Sequence, residues 1–307
     1  MALPKNVFTA FCKEHGLFWQ FPARTEEVAA GRVPEDAPYL PMAWATLIDK
    51  HVSWESVVPK LRSKILLCDP KPTETTCQHI FWKNLIPVFR ELGVTVVYSP
   101  HKLAGEHFVN GIEIRACPLY AVNAEDPLFT LGLFDGMDTR HLLYSFVGTW
   151  APHYISRIRL ELFEMRHPAD AVVKRTEKWH LEDLVYSKVQ NADMKIPTDP
   201  LRDARTLEYN QILKQSFFSL CPSGAGPGTI RFWESLAVGS VPVVLSDGMC
   251  LPEDAMWEKA IVRVSEKDVC HIEHILRAKM QDHKEMSKLC KKLYHKHALR
   301  TTPYKSP

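Results

Sequence analysis

A glycine-rich loop between two apolar runs is the part of the sequence best suited to chemistry. Residues 217–221 form an apolar run that predicts a short buried strand, and residues 222–228 follow with the sequence Pro-Ser-Gly-Ala-Gly-Pro-Gly. Because Gly224, Gly226 and Gly228 lack a Cβ atom, this glycine loop can bring its backbone close to a ligand.

The segment after the glycine loop predicts a helix and a second strand. Thr229 can cap a helix over residues 230–238, Gly239 ends that helix, and residues 241–245 are a fully apolar run typical of a buried strand. A helix N-terminus offers free N–H groups and the positive end of a dipole, so the loop suits a phosphate group. Glycine loops precede helices in many α/β proteins, and neither the dinucleotide GxGxxG pattern nor the P-loop pattern is present here.

The predicted helix carries Arg231 and Glu234, which are three positions apart and therefore share a face near its first turn. A guanidinium group can bind phosphate, and a carboxylate can accept hydrogen bonds from ribose hydroxyls, so this pair suits a nucleotide. The alternative is a surface ion pair between the two side chains, worth about 0.2–0.5 kcal/mol.

A wider pattern surrounds these residues; it consists of Glu208-Tyr209-Asn210, Pro222, Gly224, Arg231, Phe232, Glu234, Leu236, Val241, Pro242, Val243 and Leu251-Pro252. It resembles the C-terminal signature of exostosin-family glycosyltransferases, and the chain is most similar to their short, single-module forms from bacteria and large algal DNA viruses. The resemblance is strongest over residues 141–252. It implies a GT-B type α/β fold, in which two Rossmann-like domains face each other across a cleft and the C-terminal one holds the nucleotide.

The resemblance implies an inverting glycosyltransferase that takes a sugar from a nucleotide-diphosphate donor, such as UDP-xylose or UDP-glucuronate. The acceptor would be a hydroxyl of a growing glycan or glycoprotein oligosaccharide. In the family an arginine downstream of a Phe-x-Gly strand end reaches the diphosphate; here that is Arg159, after Phe146-Val147-Gly148, with Arg157 as the alternative. Long family members carry a basic residue where this chain has Ser223. The donor-binding residues implied are therefore Arg159, Ser223, Gly224, Gly226, Thr229, Arg231 and Glu234.

An inverting transferase needs a general base that takes the proton of the acceptor hydroxyl. Ligands of open α/β sheets bind at the carboxyl ends of strands, and apolar runs at residues 39–47, 64–68 and 94–98 predict strands in the first half. We expect the base among Asp49, Asp69 and His79, although a turn or cap role is commoner than catalysis for any one residue at such a position, and we expect His101 to bind substrate. Gln78-His79 resembles a Gln-His pair of short exostosin-like proteins.

Two other functions compete with transfer. The first is a catalytically inactive GT-B module that binds nucleotide or glycan or scaffolds a partner transferase. The second is a hydrolase that uses Cys77 with His79, or Ser223, although neither nucleophile lies in a GxSxG-like elbow. The sequence also lacks an Asp-x-Asp triad, so we expect no metal and no other cofactor; two arginines and a helix N-terminus could stabilise the leaving group instead.

The 307 residues suffice for two α/β domains, predicted at 1–140 and 141–280, with residues 281–307 as a helix and tail that could cross back to the first domain. Predicted strands alternate with helices, which is typical of a mostly parallel sheet. The net charge is +2, and acidic and basic residues are interspersed along the chain. This distribution argues against a nucleic-acid partner, whose binding needs a cluster of basic residues. No apolar run approaches the roughly 20 residues of a transmembrane helix, no signal peptide is evident, and the eight cysteines lack CxxC pairs. We therefore expect a cytoplasmic protein with free, mostly buried thiols.

Overall fold

The computed structural model describes residues 5–34, 37–50, 52–135, 140–179, 181–185, 196 and 198–298. The fold is mixed α/β and contains two separate, mainly parallel sheets. The tail of the predicted C-terminal segment, from residue 299, lies outside the described residues, as do residues 186–195.

The first sheet has four strands in the order β1-β2-β4-β3. Strands β1, β2 and β4 are parallel, and the two-residue strand β3 runs antiparallel to β4 at the edge. Their bounds are β1 Glu74–Thr76, β2 Val96–Ser99, β3 Phe108–Val109 and β4 Ile112–Ala116. The helices before and beside them are α1 Lys5–Glu14, α2 Thr25–Arg32, α3 Trp44–Asp49, α4 Trp54–Ile65 and α5 Ile86–Glu91.

The second sheet has five strands, all parallel, in the order β6-β5-β7-β8-β9. Strand β8 is buried at every residue, because helices cover both faces of such a sheet. The strands are β5 Leu142–Gly148, β6 Ala171–Arg175, β7 Ser216–Pro222, β8 Val241–Leu245 and β9 Val262–Arg263. The helices are α6 Val122–Glu125, α7 Ile158–Glu164, α8 Glu182–Val185, α9 Pro200–Gln215, α10 Ile230–Val238, α11 Trp257–Ala260, α12 Ile272–Lys279 and α13 His283–His297.

Two predicted strands of the first half are wrong. Residues 39–47 contain one bridge residue, Tyr39, followed by helix α3. Residues 64–68 continue helix α4 and its turn, because Ile65 lies one turn after buried Leu61, whereas Leu66 and Leu67 are 60% and 72% exposed. The first part of this apolar run therefore belongs to the buried face of α4, and the run does not form a strand.

Residues 76–92, whose apolar residues recur at helical spacing, do not form one helix. Strand β1 ends at Thr76, a 3₁₀ turn covers Trp82–Leu85, and α5 begins at Ile86 with a proline in its first turn. A proline favours the first turn of a helix because its missing N–H would have no partner there. The predictions for the region around the glycine loop are confirmed, since α10 and β8 have the predicted bounds and Gly239 adopts a positive φ of 72° after α10.

Helix α13 packs against α10, α11 and β8, and its buried residues belong to the core of the second sheet. All eight cysteines are free thiols, and five of them are buried. Within the described part of the chain, no helix is both long enough and apolar enough to cross a membrane.

Candidate active site

The glycine loop packs directly against the carboxyl end of β2. A Cβ atom placed on Gly226 would lie 2.6 Å from Nδ1 of His101, and one on Gly228 would overlap the carbonyl oxygen of Pro100. On Gly224 it would lie 2.8 Å from Nη2 of Arg159. In this conformation the three glycines permit close contact with protein atoms, and they bring the ends of β2 and β7 together.

The glycine loop leads into the nine-residue helix α10. Thr229 occupies the N-cap position with extended backbone, φ −137° and ψ 138°, but its side chain makes no capping hydrogen bond. The Thr229 carbonyl accepts the N–H of Phe232 at 3.2 Å, but the Thr229 hydroxyl accepts none of the first N–H groups of α10, and the positive end of the helix dipole lies at the loop.

Arg159 and Arg231 lie near the same aromatic ring. The guanidinium carbon of Arg231 is 4.6 Å from the ring centroid of Phe146, and that of Arg159 is 5.6 Å from it. Arg231 donates to the carbonyl of Val147, the next residue of β5. Among the described residues neither guanidinium forms a direct ion pair with a carboxylate; Arg231 acts electrostatically on the buried carboxyl of Glu234 without a salt bridge to it.

Arg159 is the better placed of the two alternatives predicted for the diphosphate. It donates to the carbonyls of Ser223 at 2.8 Å and Thr149 at 3.1 Å, whereas Arg157 is exposed at the start of α7. Burial, and next the neighbouring charge of Arg231, lower the pKa of Arg159 to about 10. An anion bound between the two arginines would relieve that repulsion.

Glu234 is 1% exposed and holds three elements together. Its Oε1 accepts a hydrogen bond from the backbone N–H of Asn123 at 2.9 Å, and its Oε2 accepts one from the hydroxyl of Tyr209 at 2.6 Å. Burial raises the pKa of this carboxyl. In this conformation a ribose hydroxyl could reach Oε2 only in place of the Tyr209 hydroxyl, so ribose binding by Glu234 stays a prediction.

Ser223 is 1% exposed at the end of β7. Its hydroxyl donates to Glu266 at 3.1 Å and lies 3.2 Å from the hydroxyl of Ser156. The side chain at this position therefore links the glycine loop to the residues after β9 and before α7.

The structure brings two of the three predicted base residues together. Nε2 of His79 lies 3.0 Å from Oδ1 of Asp49, across 30 positions of sequence. His79 follows the carboxyl end of β1, as expected, while Asp49 ends helix α3. Asp69 does not join them: it is exposed in the turn before β1, because the strand predicted to position it is part of α4.

The hydrogen bonds of His79 assign roles to the pair. Nδ1 of His79 accepts the backbone N–H of Phe81 at 3.0 Å, so the ring proton resides on Nε2 and is donated to Asp49. The other oxygen of Asp49 accepts from the amide of Gln20. The Asp49 side chain is 23% exposed and that of His79 is 10% exposed, so the carboxylate is the more accessible proton acceptor.

His101 joins this pair to the glycine loop. It is 8% exposed, its ring hydrogen-bonds with the backbone of Gln78, and its Nδ1 has no hydrogen-bond partner among the described residues. Burial, and next the nearby His79, lower the pKa of His101 to about 4. The ring is therefore neutral at pH 7, and Nδ1 can accept a hydrogen bond from a donor such as a hydroxyl group.

Sequence reasoning missed two residues of this region, Gln20 and Glu26. They lie in the polar N-terminal segment before residue 37. No local pattern distinguishes them, because their partners Asp49, Ala45 and Gln78 are at least 19 positions away. The described residues contain no group of three or more His, Cys, Asp or Glu arranged for a metal ion.

The chain is similar to known proteins over this region. A family model for the Exostosin GT47 domain matches residues 95–279. Exostosin-1 homolog of Caenorhabditis elegans is 42% identical over 71 residues, which cover 22% of this chain and 19% of that protein. Two Arabidopsis thaliana proteins are 40% and 37% identical over 22% and 25% of this chain, named probable glucuronoxylan glucuronosyltransferase F8H and probable beta-1,4-xylosyltransferase IRX10.

The matched stretches cover only 15% and 20% of the two plant proteins, so the chain spans a small part of the length of these relatives. The family model, in contrast, covers more than half of the 307 residues and includes the glycine loop, Arg159 and Arg231. The chain therefore belongs to the exostosin GT47 family.

Proposed function

We propose that this protein is an inverting glycosyltransferase that moves a sugar from a UDP-sugar to a hydroxyl group of a glycan or glycoprotein oligosaccharide. The observation that carries the proposal is the pair Arg159 and Arg231, two guanidinium groups without a direct ion pair among the described residues, beside the N-terminus of α10. Two guanidinium groups and a helix N-terminus are the chemistry that binds a diphosphate and stabilises its charge as it leaves.

In this proposal the two sheets belong to two domains of GT-B type, and substrates bind where the end of β2 meets the glycine loop. The donor lies on the side of the second sheet, with its diphosphate at Arg159 and Arg231. Because Gly226 packs closely on His101, a donor that contacts Gly226 from this side would require the loop to move away from His101. Ser223, Gly224, Gly226 and Thr229 would then contact the donor through their backbone, and Glu234 its ribose.

The acceptor lies on the side of the first sheet, where Asp49 acts as the general base. Its carboxylate takes the proton of the attacking hydroxyl, and His79 orients it through the 3.0 Å hydrogen bond. The ring of Phe81 is 55% exposed and lies 5.5 Å from that of His79, so an acceptor sugar can place its apolar face on it. His101 accepts a hydrogen bond from a substrate hydroxyl through Nδ1.

Two relatives are named for glucuronosyl and xylosyl transfer, so UDP-glucuronate and UDP-xylose are the first donors to test. The experiment measures UDP release from a panel of UDP- and GDP-sugars, with and without oligosaccharide acceptors. We expect release from at least one UDP-sugar and faster release when an acceptor is present. Absence of release from every donor on the panel would contradict the proposal.

A further inference from the structure

A buried carboxyl group, Glu26, touches both elements that carry the Asp49–His79 pair. It accepts the backbone N–H of Ala45 at 3.2 Å, in the first turn of α3, and the backbone N–H of Gln78 at 3.0 Å. Asp49 is the last residue of α3, and His79 directly follows Gln78. One side chain from α2 thus fixes the distance between the two segments that meet at the pair.

A second set of contacts extends from Glu26 to Asp49 itself. The backbone N–H of Glu26 donates to Oε1 of Gln78 at 3.0 Å, so the two residues bind each other reciprocally. The amide of Gln78 donates to Oε1 of Gln20 at 3.1 Å, and the amide of Gln20 donates to Asp49. Every step of this path is a hydrogen bond between buried or partly buried groups.

Glu26 is 3% exposed, so it cannot itself contact a substrate. An apolar side chain would fill the same space at lower cost, but it would leave the N–H groups of Ala45 and Gln78 without acceptors. The presence of a carboxyl group at this buried position is therefore explained by the two backbone N–H groups whose hydrogen bonds it accepts.

We propose that Glu26 is a positioning residue that keeps Asp49 in the orientation in which it takes the acceptor proton. This inference rests on the proposed transferase function. It assigns to Glu26 an effect on the transfer step, whereas donor binding at Arg159 and Arg231 stays independent of it.

The protonation state of Glu26 supplies a second readout. Burial raises the pKa of Glu26 to about 8, so the group is a neutral acid at pH 7. The titratable groups that face it are Asp49, Cys77, Cys12, Tyr39 and Cys117; burial raises the pKa of the thiols and of Tyr39 above the ordinary values, so these stay neutral. Above about pH 8 a negative charge would appear beside Asp49 and repel its carboxylate.

The experiment compares Glu26→Ala and Glu26→Gln with the wild type, using UDP-sugar and acceptor, and uses Glu27→Gln as the matched control. Glu27 is the next residue of α2, is 33% exposed and pairs with Arg24. We expect Glu26→Ala to lower kcat for transfer about 10- to 100-fold with an unchanged donor KM, because a displaced base misses its proton. Glu26→Gln, which copies the neutral acid, should restore kcat at pH 7 and keep it above pH 8, where the wild type loses activity.

Unchanged kcat in folded Glu26→Ala would overturn the inference, as would equal changes in kcat and donor KM. If Glu26→Ala does not fold, the pH profile of kcat for Glu26→Gln provides the test. The same loss of kcat above pH 8 in Glu26→Gln as in the wild type would overturn the inference. A wild type without transfer on any donor would overturn the proposed function itself, and the inference with it.

Discussion

Arg159 and Arg231 place their guanidinium groups 5.6 and 4.6 Å from the centroid of one ring, that of Phe146, although 72 positions separate them in sequence. Cations approach an aromatic face favourably, but they repel each other. An arrangement that holds two such charges together, with no direct ion pair to a carboxylate among the described residues, favours the binding of an anion.

Loss of Arg231 should reduce catalysis strongly. Arg231→Ala removes a charge-assisted contact to the diphosphate, which we expect to cost about 2–4 kcal/mol, or roughly two to three decades in kcat/KM. Arg231→Lys should recover little, because an ammonium group cannot stack on Phe146 or offer the planar fork. Steady-state kinetics measure this, with exposed Arg157→Ala as the control. Wild-type kinetics in Arg231→Ala would remove the residue from the site.

Substitutions at the Asp49–His79 pair beside the first sheet should change the rate of transfer without changing the affinity for UDP. Asp49→Asn should abolish transfer while UDP affinity stays near that of the wild type, since the base contacts the acceptor. His79→Gln should lower transfer less, because His79 acts through Asp49. Asp69→Asn should behave as the wild type, since Asp69 is exposed in the turn before β1. If Asp69→Asn alone were inactive, the assignment of the base would be wrong.

Glu234 should affect stability as well as donor use. Glu234→Ala removes a buried carboxyl group that accepts hydrogen bonds from the N–H of Asn123 and the hydroxyl of Tyr209, so we expect a loss of about 2 kcal/mol in the free energy of unfolding. Urea denaturation measures it. Tyr209→Phe then distinguishes the roles of the carboxylate. If ribose replaces the Tyr209 hydroxyl on Glu234, donor KM falls or stays constant in this variant; a large rise would contradict ribose binding there.

His101 should make the folded state sensitive to acid. Its pKa is lowered from 6.5 to about 4 in the folded state, so the unfolded chain binds more protons between these values. Stability therefore rises with pH across this window and is lost as pH falls through it, by about 3 kcal/mol for this group. The free energy of unfolding of His101→Gln should fall less between pH 6.5 and 4 than that of the wild type. Equal pH dependence in both would contradict a buried neutral imidazole.

Transfer should not require a divalent metal. Arg159, Arg231 and the N-terminus of α10 can together stabilise the departing diphosphate. We expect EDTA to leave UDP release from the donor largely unchanged. A strict requirement for manganese or magnesium would contradict this part of the mechanism.

Sequence reasoning succeeded where local pattern and tertiary structure agree. Glycines lie on both sides of α10, which buries an apolar face, and β8 is a continuous apolar run that is buried throughout, so the limits of both elements can be predicted. The apolar run at residues 64–68 is too short to show whether it repeats with the period of a strand or of a helix. The strand predicted there is wrong, because the run is the end of a helix and its turn.

Some residues that the structure brings together could be named from the sequence, but their arrangement could not. The strand predicted at residues 94–98 corresponds to β2 and places His101 at its carboxyl end, whereas β1, which precedes His79, was not predicted. The pairing of Asp49 with His79, and its support by Gln20 and Glu26, depend on contacts between α2, α3 and the segment after β1. Such contacts arise from packing of distant elements, which no local pattern encodes.

The most direct test of the account is a calorimetric titration of the protein with UDP, UMP and uridine. If Arg159 and Arg231 form a diphosphate site, UDP should bind at least about tenfold more tightly than UMP, because a tenfold ratio needs only about 1.4 kcal/mol from the second phosphate. Uridine should bind weakest of the three. No measurable UDP binding at millimolar concentration, or equal affinity for UDP and uridine, would contradict the central claim.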